Sequence, residues 1–416
     1  MPARTAERIE VLDVLRGVAL VGMFVVHFNY YESTPRGVEP GPAAAFVERF
    51  IGLLVEGRFY AIFGMLFGVG FAVQLARADA RGERFVLRFL RRLLALAVFG
   101  FIAEGIFGYN VLFGYAMWGI PLLFVRRWST PALVALVLLC AASRPLYNLG
   151  RIALYSTRPD GMAQFAAANQ ARIAHFTAAR EATESAEQAA DWKTVVAARV
   201  AFMPKFHRQW SVLPNGSFTL FLLGMIAFRL GLFDRPERHR RLIVALMIGG
   251  AASWAFAIWG LPIGGPTAAA PPAQGAVLHA AASIARLNAF MLIRDQWLAF
   301  TYIGAVLLLV SGRSSAAWRR RLSPLGWAGR MALTNYMMQV ILLDVLFTPH
   351  GLGLQVPALM VFGGALLLFV AQVLVSRWWL TRFTAGPLEW IWRWFTYWKR
   401  PALQRAVAAP PVAAPA

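Results

Sequence analysis

Asp13 and Arg16 stand three residues apart at the head of an apolar run, and His27 stands near its far end. On a helix, residues three apart share a face and come within reach of an ion pair. His27 follows Arg16 by eleven residues, about 16 Å further along at the rise of an α-helix. An arginine that can grasp an anion at one end and a titratable base at the other suit chemistry spread along one helix. The blander reading is an ion pair that locks the helix into a bundle and a histidine that hydrogen-bonds within its packing. Glu104 precedes the tight turn Gly108-Tyr109-Asn110. A carboxylate there can orient a histidine, and Asn110 can take part in chemistry or simply cap the turn. Asn335 and Gln339, four apart and shortly after Arg330, share a helical face. They fit either oxyanion stabilisation or hydrogen bonds between helices.

The elements that carry these residues read as membrane spans. The chain has 416 residues, 59% of them hydrophobic, and a mean hydropathy of +0.56. Soluble domains are roughly 45–50% apolar, so the excess needs an apolar solvent. It falls in blocks of span length: 13–32, 57–76, 92–108, 110–126 and 128–143, then 216–233, 241–260, 297–312, 324–346 and 355–378. An ionisable or amide side chain inside such a block is costly unless paired, which is why the residues above stand out. The expected fold is an all-α integral membrane protein, a polytopic bundle of about ten transmembrane helices. Its parts are an N-terminal half (1–143), an extracytoplasmic helical segment (144–215), a C-terminal half (216–385) and a Trp/Arg-rich interfacial helix with a disordered tail (386–416).

Arginines set the expected orientation. They crowd the N-terminus, 77–92, 126–127, 229–241, 313–321 and the tail, which all fall on one side of the alternating spans. The other side is sparse except in the long segment 144–215, and long translocated segments count little. Both termini are therefore expected in the cytoplasm, with the first helix retained rather than cleaved as a leader. Within 144–215, the stretch 161–191 favours a helix yet is too polar to span. Its Phe165, Ile173 and Phe176 form an apolar stripe that can rest on the membrane surface or cap a cavity. Residues 262–272, rich in Gly and Pro, read as an irregular outer loop.

Other function classes are disfavoured. The net charge is +21, from 41 Lys and Arg against 20 Asp and Glu. On a soluble protein that would suggest nucleic acid. In this chain the basic residues border apolar blocks and no nucleic-acid motif is present, so anionic lipid headgroups are the expected partner. Cys140 is the single cysteine, which permits no internal disulfide and no thiolate cluster, and no metal site is expected. Walker, GxGxxG, HExxH and GxSxG patterns are absent. Gly64, Gly68 and Gly70 read as a close-packing face.

Four segments together carry a resemblance: Leu12-Asp-Val-Leu-Arg-Gly-Val-Ala-Leu-Val-Gly, Phe63-Gly-Met-Leu-Phe-Gly-Val-Gly, Gly329-Arg-Met-Ala-Leu-Thr-Asn-Tyr-Met-Met-Gln and Gly386-Pro-Leu-Glu-Trp-Ile-Trp-Arg. In this order they resemble the YeiB-like family of bacterial inner-membrane proteins, a domain of unknown function, over nearly the whole chain. The first block is also similar to the opening helix of heparan-α-glucosaminide N-acetyltransferase, a multi-span enzyme that passes an acyl group from cytoplasmic acyl-CoA to an acceptor on the far side. The resemblance implies an acyltransferase-like bundle in a bacterial inner membrane, with acyl-CoA as co-substrate and a glycan or lipid acceptor. It lends interest to Asp13, Arg16 and Gly17. Arg16 and Arg330 would then lie near the CoA phosphates, His27 would act as base or acyl acceptor, and Asn110, Asn335 or Gln339 would steady the oxyanion. Two departures matter: His27 stands where the pattern usually carries Asn, and Asn110 where it carries Asp. The acetyltransferases also have a histidine slightly further on, and residues 28–174 contain none. The competing expectation is a transporter or permease for a small polar or lipidic solute, against which stands the lack of a clear inverted repeat. A purely structural scaffold is the third.

Overall fold

The structure, a computed structural model, describes residues 2–29, 41–109, 111–188, 191–211, 216–259, 297–311 and 315–404. Among them the protein is helical throughout. No strand forms, and a single isolated bridge pairs Phe383 with Gln404. An apolar chain that closes its own backbone hydrogen bonds as helix leaves no polar group bare in hydrocarbon. The elements in order are α1 (Pro2–Asn29), α2 (Pro42–Phe50), α3 (Arg58–Ala80), α4 (Phe85–Phe101), α5 (Val111–Gly119), α6 (Leu122–Val125), α7 (Thr130–Ser156) and α8 (Gly161–Glu187). There follow α9 (Trp192–Ser211), α10 (Gly216–Arg229), α11 (Arg240–Trp259), α12 (Trp297–Ser311), α13 (Ser315–Arg330), α14 (Ala332–Phe347), α15 (Ala358–Arg382) and α16 (Pro387–Tyr397).

Each expected block is mostly helical in its described part. Length and composition mark four stretches as able to cross a membrane: Glu10–Phe28, Pro42–Ala80, Thr130–Ser156 and Leu359–Arg382. Four more helical stretches are apolar but shorter. Large apolar side chains lie bare on α7 and α15, among them Leu138, Leu139, Leu367 and Leu374, as befits helices solvated by lipid. By contrast, 78% of the span in α1 is buried, against 11% of that in α7. The helix that bears Asp13, Arg16 and His27 is thus enclosed by protein, packed against α13, α3, α15 and α14.

Close approach explains one motif pair. A methyl group on Gly17 would strike the carbonyl of Leu325, and one on Gly329 would strike the carbonyl of Asp13. The α1–α13 crossing therefore needs both glycines, and it brings Arg330 beside the Asp13–Arg16 end of α1.

Three expectations change. The block 324–346 is two helices, because the chain leaves helical geometry at Met331 (φ −111°, ψ 35°). The block 110–126 is also broken, into α5 and α6 around Pro121. The block 128–143 continues as one helix through Pro145 to Ser156, so the segment 144–215 begins inside α7. Most of that segment's other described residues form the hairpin of α8 and α9. Expectations for Asn110, the loop 262–272 and the tail 406–416 lie outside the described residues.

Candidate functional site

Two large cavities open into the bundle. The first, about 960 Å³, is lined by Asp13 and Arg16 from α1, Arg77 from α3, Arg92 from α4, Arg330 at the end of α13, and Glu389 and Arg393 from α16. We call it the arginine cavity. Arg16 Nη1 donates to Asp13 Oδ1 at 2.5 Å, as their spacing predicts. A third of the Arg16 side chain stays accessible, so the pairing leaves donors free for an anion. Arg92 stacks on the Trp392 ring at 3.7 Å, while Trp392 Nε1 donates to the Arg92 carbonyl at 3.0 Å. A guanidinium pinned flat against an indole is held ready for a planar or multivalent anion.

The break at Met331 shapes this cavity. It exposes the N-terminus of α14, whose first amides have no partner within the helix. Glu389 supplies one from α16, 55 residues away. Its Oε1 accepts from Leu333 N at 2.6 Å and from Thr334 N at 3.1 Å, and its Oε2 accepts from Thr334 Oγ1 at 2.6 Å. Thr334 Oγ1 in turn accepts from Leu388 N at 3.1 Å. The motifs read from sequence at 329–339 and 386–393 are thus the two sides of one joint.

The second cavity, about 850 Å³, holds His27 and Glu104; Glu56 and Tyr60 line it too, and the α8–α9 hairpin covers it through Phe176, Arg180, Glu184, Glu187, Arg199 and Phe202. We call it the histidine cavity. His27 is buried among rings, 4.5 Å from the centroid of Tyr109 and 5.8 Å from that of Tyr336. Its Nδ1 and the Tyr336 hydroxyl have no hydrogen-bond partner among the described residues. Tyr336 lines the arginine cavity, so the two chambers approach each other across the contact of these two rings. A second link crosses nearby: Tyr115, from the arginine cavity, donates to the carbonyl of Tyr60 at 3.0 Å, and Tyr60 is hydrogen-bonded to Ser217.

Glu104 does meet a histidine, but that histidine is His207 on α9, whose Nε2 lies 2.8 Å from Glu104 Oε2. Arg199, also on α9, is buried and bonds Glu187 at 2.8 Å, Asp344 at 3.0 Å and the carbonyl of Ile106. Asp344 also holds His350 at 2.9 Å. These links fasten the hairpin onto the bundle. Phe176 caps the cavity as the apolar stripe suggested, whereas Phe165 packs on Tyr155 of α7 and Ile173 is exposed.

Asn335 and Gln339 line neither cavity. Asn335 Nδ2 donates to the Ala328 carbonyl and to Ser376 Oγ, each at 3.0 Å. Gln339 Nε2 donates to Gln372 Oε1 at 2.8 Å, and Gln372 Nε2 donates to the Asn335 carbonyl at 3.2 Å. Buried amides joined in this way fasten α14 to α15. The structure therefore gathers Asp13, Arg16 and Arg330 in one chamber and His27 and Glu104 in the other, and sets Asn335 and Gln339 apart. Sequence reading missed Tyr336, Arg199, His207 and Asp344. Of these only Asp344 carried a signal, as a carboxylate within an apolar stretch.

Residues 8–159 match the family described as heparan-alpha-glucosaminide N-acetyltransferase, catalytic, and residues 227–399 match the protein of unknown function family DUF418. The uncharacterized protein YxaH of Bacillus subtilis (strain 168) is 30% identical over 418 residues, which cover 95% of this chain and 96% of that one. The chain belongs to the YeiB-like DUF418 family. An uncharacterized 39.9 kDa protein in the amylase 3′ region of Bacillus acidopullulyticus is 28% identical with the same coverage. YeiB of Escherichia coli (strain K12) is 40% identical over 68 residues, 16% of this chain and 18% of its own. No solved structure matches. In this DUF418 protein the acyltransferase-like match contains Asp13, Arg16, His27 and Glu104, and the other contains Arg330, Tyr336, Asp344 and Glu389. With its long apolar helices and these relatives, it is a membrane protein whose residues 8–159 are acyltransferase-like. The α8–α9 hairpin lies between the two matched stretches.

Proposed function

We propose that this protein is a transmembrane acyltransferase. An acyl-CoA thioester binds in the arginine cavity from the cytoplasm, and a glycan or lipid acceptor enters the histidine cavity from the opposite face of a bacterial inner membrane. The bundle crosses that membrane about ten times, with both ends in the cytoplasm. The observation that carries the reading is the approach of the two chambers at the His27–Tyr336 layer. One chamber has five arginines suited to phosphates, and the other holds a histidine.

The reaction is a displacement at the thioester carbon. The hydroxyl or amine of the acceptor attacks, and His27 takes its proton as the new bond forms. The C–S bond then breaks, and the leaving thiolate takes up that proton from His27. The Tyr336 hydroxyl is the donor this geometry offers to the oxyanion, since Asn335 and Gln339 are committed to α15. Arg16 and Arg330 anchor the phosphates.

The test uses purified protein, acetyl-CoA and hydroxylamine as a surrogate acceptor, with thiol release as the readout. His27→Ala should lower turnover by about 100-fold or more. Arg16→Ala and Arg330→Ala should each weaken CoA binding by about tenfold, the loss of one charge-assisted contact. Absence of both CoA binding and thiol release refutes the proposal. Solute flux through liposomes without CoA would instead favour a permease that uses the same two chambers.

A further inference from the structure

The transfer through His27 gives no task to Glu104 and His207. Glu104 is 5% exposed and lies in the π turn Ile102–Ile106 that closes α4. Such turns weaken the helix locally and recur where they aim a side chain at a functional site. This one aims Glu104 into the histidine cavity. Its Oε2 is held by His207, while its Oε1 takes no hydrogen bond among the described residues. The His207 ring sits behind, 5.1 Å from Phe113 and 5.4 Å from Phe206, and does not line the chamber. The two arginines of the cavity are occupied elsewhere, Arg180 with Glu184 at 2.7 Å and Arg199 with Glu187 and Asp344. A buried carboxylate with one oxygen held and one facing a chamber lacks a donor that a bound molecule can bring.

We propose that Glu104 positions the acceptor. Its Oε1 takes a hydrogen bond from one N–H of an amine acceptor, or from a hydroxyl beside the nucleophilic one, and so turns the nucleophile's other N–H or its O–H toward the His27 layer, where His27 accepts that proton. His207 is a positioning residue that fixes the Glu104 rotamer from behind. This rests on the acyl-transfer reading.

The experiment measures kcat/KM for hydroxylamine at saturating acetyl-CoA, beside the Kd of CoA, in wild type, Glu104→Gln, Glu104→Asp and His207→Ala. Loss of one hydrogen bond to a charged group should lower acceptor kcat/KM by about 10- to 100-fold in each variant while CoA affinity stays within about twofold. Free imidazole should restore part of the His207→Ala loss. A purely structural role would disturb CoA binding and acceptor use together and give no rescue. If Glu104→Gln fails to fold, Glu104→Asp carries the test, because it keeps the charge and withdraws the oxygen. A wild-type enzyme that turns over while the variants match it overturns this assignment alone. A wild type that neither binds CoA nor releases thiol overturns the acyl-transfer reading and this assignment with it.

Discussion

Replacing Glu389 with alanine removes the acceptor that holds the first turn of α14 from α16. Three donors lose their partner: Leu333 N, Thr334 N and Thr334 Oγ1. Loss of a helix N-cap costs about 0.5–2 kcal/mol. A hydrogen bond to a charged group contributes about 1.5–3 kcal/mol. The joint borders the arginine cavity, where water can replace part of what is lost, so the combined cost is about 2–4 kcal/mol. At 1.4 kcal/mol per factor of ten, the local opening equilibrium shifts by about 30- to 1,000-fold. Hydrogen exchange followed by mass spectrometry on protein in detergent reads this directly. Peptides covering 331–340 should exchange faster by that factor, and peptides from α3 and α10 should not change. Glu389→Gln, which keeps an acceptor oxygen but not the charge, should fall between. Unchanged exchange at Leu333 and Thr334 would refute the joint, and a uniform acceleration across the chain would show that Glu389 serves general stability instead.

Other perturbations follow from the same packing. Gly68→Ala should destabilise by about 1–3 kcal/mol as an overpacking change, because its methyl would strike the carbonyl of Phe221. Gly70→Ala, two residues on in open space, should be neutral or slightly stabilising in thermal unfolding. Asp344→Asn removes the negative charge facing the buried Arg199 and should cost about 3 kcal/mol, seen as faster tryptic cutting within the α8–α9 hairpin; an unchanged digestion pattern counts against the clamp. Asp191 caps α9, accepting from the Thr194 hydroxyl and amide and from the Lys193 amide, and these bonds hold its carboxyl below the ordinary carboxylate range. A depressed folded value means that the stabilisation is complete above the ordinary carboxylate value of about 4 and is lost as pH falls through the folded value. The protection factors at Thr194 and Val195, exchange taken relative to its intrinsic rate at each pH, should therefore be flat from neutral pH down to about 5 and fall in acid, and Asp191→Ala should abolish that dependence.

Local rules reached part of this architecture. The Asp13–Arg16 pair follows from helical spacing inside one apolar run, and α8 begins where its composition said it would. What escaped was decided across the chain. The break at Met331 has no proline or glycine at that residue; it persists because Glu389 reaches its amides from 55 residues away. His207 stood in a polar segment with nothing to mark it, and its partner Glu104 is 103 residues distant. Asn335 and Gln339 had the chemistry for catalysis, yet Ser376 and Gln372 on α15 claim them. Residue type named the candidates, and the neighbours chose among their uses.

The location of a bound donor tests the central claim most directly. A cryo-EM structure with a CoA ketone analogue, in which a methylene separates the sulfur from the carbonyl so that no acyl transfer can occur, should show the phosphates among Arg16, Arg330 and the other arginines of the arginine cavity. The carbonyl should lie at the His27–Tyr336 layer, with room about 3.5 Å from its carbon on the His27 side for the acceptor's nucleophilic atom, as a near-attack geometry requires. An analogue bound with its acyl end turned away from His27, or an empty arginine cavity at saturating analogue, would contradict the account.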